Sequence, residues 1–179
     1  MTQDDTHIIQ ALREGTEDGF RRLMRLYQQP VYWHIRRLVV RHDMAEDATQ
    51  ETFIRIFRGI GQFNADISLR AWIFRIASNE ALRLLARQRD GQVSLEAAKA
   101  ETGRMEADEY IDYSDLEAVK LQKAILSLPT KQQMAFNLRY YDEMSYDEIA
   151  QATDSTASAA KMNYHIAREK IVKYMQTHE

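Results

Sequence analysis

Asp47, Gln50, Glu51 and Ile54 recur at helical spacing. On one helix they place two carboxylates, an amide and an aliphatic side chain along a single stripe. The chemistry open to such a face is docking: charge steers a basic partner and the aliphatic group anchors it. A solvated acidic face would look the same. A second group, Ser155, Thr156, Ser158, Lys161 and Arg168, falls where one helix ends and another begins. Hydroxyls, backbone N–H groups and cations at the start of a helix suit phosphate. Ala157, Ala159 and Ala160 keep that helix narrow, as entry into a major groove about 12 Å wide requires. A plain antiparallel helix hairpin remains open for this stretch. Nothing points to catalysis. Asp4, Asp5, Glu46, Asp47 and the five His show no metal-ligand spacing, and no Gly-rich phosphate loop occurs. We expect no enzyme, no metal and no cofactor.

The elements that must position these residues are helical. Gly and Pro are scarce and strand-like alternation is absent, which argues for an all-α protein. The first stripe belongs to a helix predicted over 43–58, with Asp43 as cap, Glu46 completing a capping box, and Gly59 and Gly61 as the stop. Its opposite stripe, Ala48, Thr52 and Ile56 with Phe53 and Phe57, is the expected core face. Upstream, short and long helices are predicted over 6–13 and from Thr16 onward. Phe20, Leu23, Met24 and Tyr27 form the apolar stripe of the long one. Pro30 should kink or break it near Gln28–Gln29, because proline inside a helix costs about 3 kcal/mol. One of Tyr32 and Trp33 is expected in the core. A turn-rich loop, 59–68, leads to a helix capped by Ser68 and predicted over 69–89, with Trp72 as core.

Residues 91–115 lose the helical period and are acidic. They read as a linker, with a disordered solubilising spacer as the plain alternative. Beyond it, Pro129 ends one helix, Thr130 with Gln133 and Ser145 with Glu148 are expected capping boxes, and Thr156 caps the last long helix. The expected organisation is therefore a helical bundle over 1–90, an acidic linker over 91–115, and a second helical domain over 116–179. The 179 residues suffice for one ordinary domain or two small ones. No Cys is present, no apolar run approaches the roughly 20 residues of a membrane span, and the N-terminus lacks the pattern of a secretory signal. The expectation is a cytoplasmic protein without membrane insertion. The net charge of −3 lacks the basic excess of a strong nucleic-acid binder. Residues 1–90 are nonetheless slightly positive, with Arg as their only cation, a residue suited to planar contacts with phosphate.

The pair D-A-T-Q-E-T-F-I-R-I-F and R-A-W-I-F-R-I-A-S-N-E-A-L resembles region 2 of bacterial sigma factors, most closely the small extracytoplasmic-function group of the sigma-70 family. The stretch L-P-T-K-Q-Q-M-A-F-N-L-R-Y-Y-D-E-M-S-Y-D-E-I-A resembles sigma region 4. The resemblance implies two helical domains joined by an acidic linker. It implies an initiation subunit of RNA polymerase whose partners are core polymerase, through the coiled coil of the largest subunit and the flap, promoter DNA, and an anti-sigma factor as the usual control. Asp47, Gln50, Glu51 and Ile54 would dock on core. Phe63, Asn64, Asn79, Arg83 and Arg87 would hold the melted −10 element, with Phe63 stacking on or walling an extruded base; Phe63 as a core plug is the competing reading. The linker would thread the polymerase cleft. Thr156, Ser158, Lys161, Met162, Asn163, His165 and Arg168 would face the −35 element. There the pattern departs: Asp154 stands where the family has glycine in the turn, Ser155 replaces an apolar residue, and Ser158–Asn163 keeps only the Lys of the usual Gly-Thr-Val-Lys-Ser-Arg. With the base-reading Arg absent, Asn163 or His165 would substitute, and the −35 sequence read should be unusual. Two other roles remain open, a free-standing helix-turn-helix regulator and a sigma-like mimic that sequesters an anti-sigma factor.

Overall fold

The computed structural model describes residues 2–90 and 115–177, so the expected linker lies outside them apart from Asp115. The described residues are helical, with no strand. Helix α1 (Gln3–Arg13) opens on a capping box between Thr2 and Asp5. Gly15, at φ 69°, makes the turn into α2 (Glu17–Val39), which Thr16 caps. The two helices approach closely: a Cβ on Gly19 would stand 2.7 Å from Ala11 Cβ. Contrary to the expected break, α2 runs unbroken through Pro30. Pro30 lies on the solvent face one turn after exposed Leu26, where a carbonyl left without its helical partner can be hydrated.

Val40 and Arg41 link α2 directly to α3 (His42–Gly59). The link is so short that Arg41, not Asp43, takes the cap position, without a side-chain cap bond. Asp43 sits in the first turn and accepts two hydrogen bonds from the Arg41 guanidinium, at 3.1 and 2.7 Å. Those bonds hold its carboxyl below the ordinary range. A 3₁₀ turn (Ile60–Gln62) leads to α4 (Leu69–Asp90), where Ser68 Oγ accepts from Ala71 N–H. As expected, Ala48, Thr52, Phe53 and Ile56 are buried between α3 and its neighbours. Tyr32 and Trp33 are both only half-buried; His34 is the enclosed ring.

The second half comprises α5 (Leu116–Leu126), α6 (Thr130–Tyr140), α7 (Tyr146–Thr153) and α8 (Ala157–Thr177). Asp115 caps α5, and Ser145 with Glu148 forms the expected box on α7. The box expected at Thr130 does not form: Pro129 holds the cap position and Thr130 is the first helical residue. The Gln133 side-chain amide instead points across to the Arg37 carbonyl, at 3.5 Å. Two apolar clusters fill the fold. The smaller joins Ile125, Leu128, Phe136 and Ile171 within the second half. The larger runs from Leu23, Ile35, Ile56 and Phe74 into Met134, Leu138, Met144 and Ile149 without interruption. The halves thus share a core, with α7 against α4 and α6 against α2.

Candidate functional site

Asp47, Gln50 and Ile54 line an open groove between α2 and α3, with a volume of about 1110 Å³. Its lining is mixed: Phe20 and Phe57, tilted to each other with centroids 5.0 Å apart, lie with Met24, Trp33 and Phe53 among Gln28, Gln29, Thr49 and Gln50. Phe20 and Ile54 are 44% and 37% exposed. A groove of mixed lining, with exposed Phe20 and Ile54 as apolar anchor points and Glu46 and Asp47 at its edge, fits an elongated partner with apolar anchors and basic flanks. Glu51 stands apart from it. Half-buried outside the groove, its carboxylate pairs with Arg55 at 3.2 Å.

The residues expected at the −10 element divide. Asn79, Arg83 and Arg87 are exposed at successive turns of α4 and form one stripe. Arg83 leans on Glu80 at 2.6 Å. Asn64 is exposed and closes an Asx turn, accepting from Asp66 N–H at 3.1 Å and donating to the Asp66 carboxylate at 2.7 Å. Phe63 follows the core-plug reading: its ring is buried, 5% exposed, and packs on Trp72 at 4.9 Å. Arg13 fixes its backbone by donating to the Phe63 and Ile60 carbonyls, at 2.8 and 3.3 Å. A plug held on both sides in this way is core rather than a stacking platform. Trp72 is half-buried against the same core.

In the helix-turn-helix, Asp154 adopts φ 53°, ψ 51°, the left-handed conformation that glycine usually supplies. Aspartate is one of the few side chains that accept it. The turn geometry therefore survives the replacement. Thr156 Oγ1 accepts from Ala159 N–H at 3.1 Å, so its hydroxyl is already engaged as the cap of α8. Ser158, Lys161, Met162, His165 and Arg168 are exposed; Asn163 is half-buried, toward the side of the helix. The outward face is thus built from a hydroxyl, two cations, an imidazole and a thioether.

Sequence reasoning missed the seam between the halves. Arg70 on α4 donates to both carboxylate oxygens of Glu148 on α7, at 3.3 and 2.6 Å, and to the Asp142 carbonyl at 3.2 Å. Ser68 N–H donates to Gln151 Oε1, and Arg75 stands 3.7 Å from Asp154. Although burial pushes the Glu148 carboxyl up, hydrogen bonds from Arg70 and Ser145 win and hold it low. Deeper in, His34 is fully enclosed; Nε2 meets Ser78 Oγ at 2.8 Å and Nδ1 lies 4.0 Å from Asp142. Burial, with Arg37 adding, pushes the imidazole down to about 3. Burial also lifts Asp142 to about 6, against Arg37 and Arg70, and Tyr27 to about 12. The one signal available beforehand was His34 itself, which interrupts the apolar stripe of α2 between Val31 and Leu38.

The family model for sigma-70 region 2 matches residues 23–90, and that for sigma-70 region 4 matches 118–171. The chain is 30% identical to the RNA polymerase sigma-H factor of Pseudomonas aeruginosa, across 98% of this chain and 96% of that one. It is 27% identical to the ECF RNA polymerase sigma factor SigW of Bacillus subtilis, across 94% and 95%. It is also 29% identical to the ECF RNA polymerase sigma-E factor of Escherichia coli, across 96% and 94%. Among solved structures, CnrH in complex with the cytosolic domain of CnrY has the same fold, with a TM-score of 0.77 at 18% identity over 99% of this chain and all of that one. The sigma factor RpoE of Bartonella quintana, in complex with the anti-sigma factor NepR, gives 0.69 at 23% identity over 89% and 98%.

Proposed function

The chain belongs to the sigma-70 family, in its extracytoplasmic-function group, and we propose that its surfaces divide the work of a sigma factor as follows. The α2–α3 groove, with Asp47, Gln50 and Ile54, docks on the basic coiled coil of the largest core polymerase subunit. The stripe Asn79, Arg83 and Arg87, with Asn64, holds the −10 element. The outward face of α8 reads the −35 element through Ser158, Lys161, Met162, His165 and Arg168, with Asn163 at its edge. The observation that carries this reading is the order of the two family matches within one chain that spans its relatives almost end to end. Groove chemistry supports the docking step, since an apolar anchor with acidic edges gives both steering and hold.

The reading gives the chain no catalytic chemistry of its own, because sigma factors act by binding. An anti-sigma factor is its expected regulator, supported by the two solved relatives of the same fold, each in complex with a partner. Among the described residues no helix is long and apolar enough to cross a membrane, and the reading places the chain in the cytoplasm with core polymerase. Each DNA-binding surface carries few cations, so free chain should hold promoter weakly and gain from effective concentration once polymerase positions both halves. Adding purified chain to core polymerase should produce transcripts from defined start sites. Asp47→Arg with Gln50→Arg should weaken core binding about tenfold or more while leaving helicity unchanged. Core polymerase that ignores the wild-type chain would overturn the reading.

A further inference from the structure

We propose that Met162 is a specificity-determining residue of α8 and selects thymine, by contact with the 5-methyl group that this base carries into the major groove. The inference rests on the sigma reading of α8 and deepens it, by naming the base that one side chain takes. The register of α8 leaves Met162 no inward role. Ala160, Ala167 and Ile171 are the buried residues of the helix and supply its contacts with the two apolar clusters. The Thr156 cap bond and the left-handed turn at Asp154 fix where the helix starts. Ser158, Met162 and His165 then follow at i, i+4 and i+7 along the outward side. Lys161 and Arg168, seven positions apart, make a parallel row on one flank. Met162 is 58% exposed and stands in the second turn, within the N-terminal part of a recognition helix that meets base edges. The central row thus offers a hydroxyl, a thioether and an imidazole. It holds neither the guanidinium nor the amide that would grip guanine or adenine by two hydrogen bonds.

Elimination among the bases leads to thymine. In the major groove guanine shows two acceptors, adenine an acceptor and an amino donor, and cytosine an amino donor. A methionine side chain laid over any of these takes water from a polar group and returns no adequate hydrogen bond, which costs affinity. Thymine differs, because a methyl group stands beside its one acceptor. Contact there removes apolar surface from water on both partners. The unbranched, flexible thioether chain can also follow a methyl whose position shifts with the local shape of the duplex. Selection is therefore double: thymine gains a contact, and the other three bases lose the hydration of a hydrogen-bonding group. Ser158 can donate or accept and discriminates far less.

The test removes the methyl group and nothing else. Core polymerase assembled with the full-length chain first selects binding sites from a duplex randomised over both promoter elements. Each thymine of the enriched −35 element is then replaced singly by deoxyuridine, which pairs identically and lacks the 5-methyl group. One replacement should weaken binding about threefold, on the scale of one buried methyl group. 5-Bromouracil at that position should restore the affinity, because bromine fills the volume of the methyl. Met162→Leu keeps an apolar side chain and should remain sensitive to the replacement, whereas Met162→Ala should bind the thymine and uracil duplexes equally. An enriched element without thymine, equal binding of every uracil duplex by the native chain, a sensitivity that survives Met162→Ala, or one lost in Met162→Leu overturns the assignment. A polymerase that enriches no −35 sequence at all overturns the sigma reading and the assignment with it, so the two failures are distinguishable.

Discussion

Glu80 on α4 receives Arg55 of α3 at 2.6 Å, and the carboxylate is almost enclosed while the guanidinium remains 45% exposed. Arg83 reaches its other oxygen, also at 2.6 Å. One buried acid thus ties the helix proposed to dock on polymerase to the helix proposed to hold DNA.

Glu80→Ala should lower folding stability by about 1–2 kcal/mol in denaturant titration. The loss is moderate because both arginines can turn to solvent rather than remain as buried, uncompensated charge. If the clamp matters for function, transcription from a fixed amount of core should fall further than core binding does.

Gly19→Ala should destabilise the chain by about 1–3 kcal/mol, since the new methyl meets Ala11 in a packed crossing. Ala11→Gly in the same chain should recover only part of the loss. The Ala11 carbonyl carbon and the Leu12 nitrogen, at 2.8 and 2.9 Å from the added atom, would still be in the way. Midpoints of thermal unfolding decide it.

Asp142 and His34 give the seam opposing responses to pH. The folded chain keeps His34 neutral to about 3, whereas an unfolded histidine protonates near 6.5, so stability is lost as pH falls from 6.5 toward 3. Asp142 takes its proton at about 6 when folded and at 3.8 otherwise, so the penalty of its buried charge fades as pH falls through 6. The two effects offset each other between about pH 6 and 4, and below that only the histidine loss continues. Asp142→Asn should therefore be more stable than the native chain by about 2 kcal/mol near neutral pH, an advantage that shrinks through pH 6 and is gone near pH 4. Urea unfolding across that range tests the sign.

Lys161→Ala should weaken −35 binding by assembled polymerase for all sequences alike and reduce the salt slope by about 1, as expected of a phosphate contact. Met162, 58% exposed on the same face, has only apolar surface to offer a base edge. Met162→Ala should relax preference at one promoter position without altering that slope. Binding selections from a randomised −35 library separate the two.

The helices and their inward faces were legible from period alone: Ala48, Thr52 and Ile56 are buried and Asp47, Gln50 and Ile54 are exposed, as their spacing required, although Glu51 of the same stripe is half-buried. Caps failed where a neighbour took the side chain's place. Gln133 turned to Arg37 across the seam, and the two-residue link before α3 left Asp43 inside the helix. At Pro30 the sequence allowed a kink or a break, and the helix is not broken there: the residue lies on the solvent face and α2 continues past the lost hydrogen bond. Phe63 shows the limit for single aromatics, since a loop position does not say whether a ring points in or out. The Arg70–Glu148 pair, separated by 78 positions, left no trace in any local pattern. Periodicity reports that a face is covered, not by which part of the chain.

The uninterrupted cluster from Phe74 to Ile149 also bears on recombination. A hybrid given the −35 reader of another family member would inherit foreign side chains at Leu138, Met144 and Ile149, facing surfaces of α2 and α4 to which they were never fitted. Such hybrids should behave well while bound to polymerase and precipitate when released from it, unless the grafted segment carries those three apolar residues along with Glu148.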